Sequence, residues 1–179
     1  QVYDNLGIRD DGTPGDPDKV ALSYNQGTFM ASALALYNAT GEEEYLRNAV
    51  AFGSYQVNKK MDSNYPVFSG DNLLFRGIFV RYFLDMVKQP VSSLYPEKTK
   101  TKFIAALRSC SDVLWTLAHP EGYYVWEYDW AKAPTFGNRN NREDRLTISL
   151  NAEVPGATLI EIRARYEDWV QGKTTEKAN

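Results

Sequence analysis

The sequence contains one cysteine and one histidine, Cys110 and His119, in 179 residues. A single thiol excludes an intrachain disulfide. Its setting between Leu107 and Leu114 reads as a helix-packing position, not as a nucleophile, since no base lies near it in sequence. With one histidine and no cysteine cluster, no transition-metal site is expected. Asp10, Asp11, Asp16 and Asp18 supply oxygens, but not in the spacing of a calcium-binding loop, so calcium is not expected either. Neither basic nor acidic residues are in large excess. The 20 basic and 23 acidic residues leave a net charge of −3, with no Lys/Arg-rich run, which argues against a nucleic-acid partner. No apolar stretch approaches the ~20 residues that cross a bilayer, so no membrane span is expected. Gln1-Val2-Tyr3-Asp4 has none of the features of a signal peptide, so any export signal is expected upstream or already removed. A Gly-rich phosphate loop, a Gly-x-Ser-x-Gly elbow and a His-Glu-x-x-His helix are all absent. No cofactor is expected.

Aromatic residues, by contrast, are plentiful. Twelve tyrosines and four tryptophans are more than a core of this size needs, and a flat apolar face with a polar edge suits sugar rings as well as helix packing. The hydrophobic content of 43% is that of an ordinary globular domain. The first ~20 residues, dense in turn formers around Asp10-Asp11-Gly12-Thr13-Pro14, read as a loop. Helices are expected over about 25–40, 42–60, 73–88, from 96 onward and over about 155–170, with Gly41 closing the first and Asp71 or Asn72 capping the third. Phe29, Met30, Ala33, Leu34, Leu36 and Tyr37 wrap most of the first helix, so it is expected to be buried nearly all round. The fourth carries Lys98, Lys100, Lys102 and Arg108 on one face and Phe103, Ile104, Leu107, Val113 and Leu114 on the other, the pattern of an outer helix. The stretch from Pro120 to about Asn151 reads as a long loop of the kind that carries function. Asn38-Ala39-Thr40 matches a glycosylation acceptor but ends a helix, and is read as a chance match.

Two motifs carry more information than the composition does. Tyr24-Asn25-Gln26-Gly27 opens the first helix, which runs to a Thr-Gly turn and then Glu-Glu-Glu-Tyr-Leu-Arg-Asn-Ala. Leu74-Phe75-Arg76-Gly77-Ile78-Phe79 opens the third. In this order, over about residues 2–166, they resemble glycoside hydrolase family 76, the endo-α-1,6-mannanases, with Arg76 where the family pattern has lysine. The resemblance implies an all-α fold, an incomplete (α/α)6 toroid of about five helices alternating between an inner and an outer ring. It implies that residues 1–179 are the C-terminal part of a single glycosidase-like domain whose N-terminal helices are absent. It also implies a secreted, periplasmic or cell-surface location, and α-mannan or a manno-oligosaccharide as the ligand.

Retaining glycoside hydrolysis needs two carboxyl groups, and the family resembled uses adjacent aspartates at the start of an inner helix in its N-terminal half. Asp10-Asp11 looks like that pair but precedes Gly-Thr-Pro-Gly instead of a helix, so the catalytic pair is expected upstream and this chain to supply part of the substrate cleft. Tyr24, Asn25, Gln26, Phe75, Arg76, Trp126 and Trp130 are the expected substrate-binding residues. Other uses stand beside these. Asn25 can cap the helix while Tyr24 packs, and Arg76 can reach the pocket or pair with a loop carboxylate. Trp126, Tyr128 and Trp130 can stack on sugars, while Glu127 and Asp129 can bond hydroxyls or pair with Arg139, Arg142 or Arg145. Two alternatives to a hydrolase fragment remain: a carbohydrate-binding toroid without the acids, and a helical-repeat interaction module, which the unequal helix spacing disfavours. A strip including Phe29, Met30, Phe79 and Ile160 is expected to be left for the missing N-terminal half or another chain to cover.

Overall fold

A computed structural model describes residues 1–62, 65–69, 71–117, 126, 129–132 and 150–173. Along the chain the elements are β1 (Leu6–Ile8), β2 (Pro14–Pro17), α1 (Ser23–Thr40), α2 (Glu43–Lys59), α3 (Leu73–Lys88), α4 (Glu97–Leu117) and α5 (Leu150–Val170). Helices α1, α3 and α5 lie side by side as one row, with α2 and α4 packed behind them as a second. The alternation of inner and outer helices expected from the sequence is therefore present.

Glycine sets how closely the inner row packs. A Cβ on Gly27 of α1 would stand 2.7 Å from the Phe79 Cα of α3, and one on Gly77 of α3 would stand 2.9 Å from the Pro155 Cβ of α5. Both glycines sit in the first turns of their helices, so the contacts bring the N-terminal ends of all three inner helices to one rim. Between the rows, Phe68, Phe79, Phe83, Phe103 and Tyr95 form a chain of ring contacts at 5.1–6.2 Å between centroids, all fully or almost fully buried. Cys110 is buried in the same core, and burial pushes its thiol up to about 12, which makes it inert.

Three expectations need correction. The first twenty residues are not all loop: β1 and β2 pair as an antiparallel hairpin with an irregular register, Leu6 opposite Pro17 and Ile8 opposite Pro14. Its turn is made by Asp10-Asp11-Gly12, with Gly12 at φ 80° and its N–H bonded to the Arg9 carbonyl. The fifth helix begins at Leu150, not at Pro155. Pro155 lacks the N–H that would have made a helical bond, and its ring packs over Gly77.

The third correction concerns the apolar strip. Met30 and Phe79 are completely buried between α1, α3 and the outer row, and Ile160 is half-buried; of the four, only Phe29 is largely exposed, at 51%. Helix α1 is therefore not enclosed all round. Its open side carries Phe29 and Leu36, while α3 exposes Leu74 and Ile78, and α5 exposes Leu150 and Val154. The sequence pattern could not separate these sides, because α1 carries apolar residues at nearly every angle. Helix α4 matches its expected outer-helix pattern: Phe103, Leu107 and Leu114 face the core. No helix among the described residues is long and apolar enough to cross a membrane.

Candidate functional site

At the rim, the residues of Tyr24-Asn25-Gln26-Gly27 divide three tasks between them. Gly27 admits the backbone of α3. Gln26, with no exposed surface, accepts a hydrogen bond from the Val2 N–H at 3.0 Å and donates to the Val2 carbonyl at 2.7 Å. Its amide thus acts as a short piece of strand and straps the N-terminal segment across the end of α1. Asn25 and Tyr24, one and two residues nearer the helix start, both reach Asp4: the Tyr24 hydroxyl and the Asn25 amide donate to the same carboxylate oxygen, Asp4 Oδ1. Asp4 is itself held by its N–H to the Val20 carbonyl at 3.1 Å.

The Tyr24 ring lies 4.6 Å from Phe75 at the start of α3, so an aromatic pair flanks the carboxylate. Tyr24, Asn25 and Phe75 are all half-buried. Donating to Asp4, together with some burial, raises the Tyr24 phenol above the usual tyrosine value, because ionising it would place a second negative charge against the carboxylate. Asp4 was not singled out in the sequence. Only its distance of twenty residues from Tyr24 hid it; an acid beside an aromatic in Val2-Tyr3-Asp4 is too common a pattern to signal a site.

Arg76 lies behind this surface. Its side chain is 7% exposed and donates to the carbonyls of Phe68 at 3.0 Å and Asp71 at 2.7 Å, and its Nε stands 3.6 Å from Asp71 Oδ1. Its guanidinium sits 5.6 Å above the ring of Trp130, which is completely buried. Of the two readings of Arg76, pairing with a loop carboxylate is the one the geometry displays. Asn72 caps α3 by accepting from the Leu74 N–H at 3.0 Å. Trp126 is half-buried, donates its backbone N–H to Glu153 at 3.0 Å, and lays its ring on Gly156 of α5, where a Cβ would stand 2.7 Å from it.

Of the seven expected substrate contacts, Tyr24, Asn25 and Phe75 therefore lie half-buried at the helix starts, Trp126 lies half-buried against α5, and Gln26, Arg76 and Trp130 are engaged inside the chain. Asp10 and Asp11 stand elsewhere, exposed at the turn of the hairpin. The Asp11 carboxylate accepts from the Thr13 hydroxyl and N–H at 2.6 and 2.9 Å, and the hydroxyl bond in particular holds it below the usual carboxylate range. That is the chemistry of a turn residue kept ionised. Asp129 pairs with Lys132 at 3.2 Å. Glu127, Tyr128, Arg139, Arg142, Arg145 and His119 lie outside the described residues. Among the described residues no group of three or more His, Cys, Asp or Glu side chains converges as a metal site would.

The sequence pattern of glycosyl hydrolase family 76 matches residues 1–152, a span that includes both rim motifs and Asp4. The chain belongs to glycosyl hydrolase family 76. Among solved structures, the family 76 α-1,6-mannanase from Salegentibacter sp. superposes with a TM-score of 0.72 at 24% identity, covering 92% of this chain and 46% of that one. An inactive variant of that enzyme, with two neighbouring aspartates replaced by asparagine and α-1,6-mannotriose bound, superposes at 0.73 with 25% identity over the same shares. A Listeria innocua protein superposes at 0.65 with 28% identity, covering 88% of this chain and 40% of that one. Comparison with curated proteins finds no match. The family 76 chain described here thus spans about half the length of its structural relatives. Its two rows of helices are an incomplete (α/α)6 toroid.

Proposed function

We propose that this chain is the C-terminal part of a single toroidal domain acting on α-1,6-linked mannan, and that its rim forms one wall of the substrate cleft. The observation that carries this reading is the Asp4 carboxylate, fixed by Tyr24 and Asn25 beside the ring of Phe75. A carboxylate is an acceptor-only group that suits sugar hydroxyls, and a half-buried aromatic pair suits the apolar face of a pyranose. Tyr24, Asn25, Asp4, Phe75 and Trp126 form the sugar-facing surface, and Gln26, Arg76 and Trp130 hold it in shape. The nucleophile and acid are carried by a part of the domain outside these residues. That part, or another chain, covers the open apolar sides of α1, α3 and α5. A mannan-degrading member of this kind works outside the cytoplasm, so the location is secreted, periplasmic or cell-surface.

Two measurements test the reading. Calorimetric titration with α-1,6-mannotriose is expected to show binding that Asp4→Ala and Tyr24→Phe each weaken. Incubation of this chain with α-1,6-mannan is expected to release no reducing ends above background. Binding unaffected by both substitutions would place the sugar elsewhere. Turnover abolished by Asp10→Asn or Asp11→Asn would assign the catalytic pair to the hairpin instead.

A further inference from the structure

Helix α1 begins without a cap of its own. Its N-cap position is Leu22, in extended conformation with φ −84° and ψ 146°, whose side chain has nothing to donate or accept, and the first turn contains no acidic residue. An uncapped N-terminus leaves N–H groups unsatisfied and a partial positive charge uncompensated, and here that terminus carries Tyr24 and Asn25. The missing group arrives from another element. Asp71, in the loop before α3, accepts a hydrogen bond from the N–H of Ser23, the first residue of α1, across 48 positions of sequence. Its side chain is 4% exposed. Nothing local competes with it, since the Ser23 hydroxyl is buried and makes no hydrogen bond.

Asp71 is in turn fixed by Arg76, which binds its carbonyl at 2.7 Å and lies 3.6 Å from its carboxylate while gripping the Phe68 carbonyl and covering Trp130. The loop, the start of α3 and the start of α1 are joined through one carboxylate. We propose that Asp71 is a positioning residue for the rim: it caps α1 in place of Leu22, and by doing so sets where Tyr24 and Asn25 hold Asp4 beside Phe75. This rests on the cleft reading for its consequence in sugar binding, but not for the capping itself. Helix α3 has its own cap in Asn72, so the dependence runs one way: the start of α1 is completed by the loop before α3.

The test compares the wild-type protein with Asp71→Ala, Asp71→Asn, and Asp71→Ala combined with Leu22→Ser, which returns a cap from the local position. Three readouts apply: hydrogen exchange of the amides of residues 23–25, NMR titration of the Tyr24 phenol, and affinity for α-1,6-mannotriose. With Asp71→Ala, first-turn exchange is expected to rise about fivefold, the effect of losing one helix cap. The Tyr24 phenol is expected to fall back toward the ordinary tyrosine value as its bond to Asp4 loosens, and mannotriose affinity to drop in parallel. Asp71→Asn keeps an acceptor oxygen without the charge and is expected to leave the fold intact with a smaller change in exchange. Leu22→Ser is expected to restore exchange and the Tyr24 titration in the Asp71→Ala background. Unchanged exchange and titration in Asp71→Ala, or failure of Leu22→Ser to restore them, would overturn the proposal. Absence of mannotriose binding by the wild type would overturn the cleft reading alone, because exchange and the Tyr24 titration judge Asp71 without any sugar.

Discussion

The side-chain amide of Gln26 and the backbone of Val2 exchange two hydrogen bonds, at 3.0 and 2.7 Å, in the way that neighbouring strands do. A side chain of that length, with a donor and an acceptor on one carbon, is what allows the end of a helix to hold an extended segment. Without this strap the N-terminal segment would lose its anchor at Val2 and be held by the bonds of Asp4 and Asn5.

Replacing Gln26 by Leu is expected to destabilise the fold by about 2 kcal/mol, since the Val2 groups lose their partners in a partly buried setting. Chemical denaturation measures the loss. Limited proteolysis within the first five residues should become faster in the same variant, and an unchanged cleavage rate would mean the segment is held by other contacts.

Close approach at the rim predicts a contrast among glycines. Gly27→Ala and Gly77→Ala place a methyl group at 2.7 and 2.9 Å from Phe79 and Pro155, inside any tolerable contact, and are each expected to cost about 2 kcal/mol through overpacking. Gly7→Ala, with nothing within 4 Å of the new Cβ, is expected to change stability by less than about 0.5 kcal/mol. Thermal unfolding of the three variants side by side decides it.

Adjacent residues on α1 should respond very differently to truncation. Met30→Ala removes a completely buried side chain and is expected to cost about 3 kcal/mol. Phe29→Ala removes a ring that is 51% exposed and meets the Phe52 ring edge-on at 6.0 Å, with an expected cost of about 1 kcal/mol. Equal losses by urea denaturation would show that the open side of α1 is covered in solution.

Acid should loosen the seam between α4 and α5. Glu167 accepts two bonds from Arg108 at 2.9 Å and one from Arg163 at 2.6 Å, and these, the Arg108 bond first, hold its carboxyl below the ordinary value of 4.5 despite partial burial. A depressed folded value contributes stability that is complete above the unfolded value and lost as pH falls through the folded one. Glu167→Gln is therefore expected to cost about 1 kcal/mol at pH 7, little for a partly exposed network. The difference should vanish at a pH below the folded value of Glu167, as followed by urea midpoints across pH 2–7.

The positions of α1 to α4 and the outer-helix face of α4 were legible in the sequence because they depend on neighbours three or four residues away, whereas the start of α5 at Leu150 was hidden by Pro155 inside it. Gly41 ends α1 at φ 74° because only glycine takes that conformation without strain. The two rim motifs were equally legible, since they are contiguous runs. The tertiary structure alone assigned their residues to tasks. Gln26 faces Val2, Arg76 faces Asp71 and Trp130, and Asp4 joins the rim across twenty residues, none of which any local spacing encodes. Burial could not be read for α1 for the same reason: Phe29 and Met30 are alike in hydrophobicity, and only the placement of α3 against Gly27 decides that one is covered and the other left open. Sequence sets what each segment can form by itself, while packing between distant segments decides which of its polar groups are spent inside the fold and which remain for a ligand.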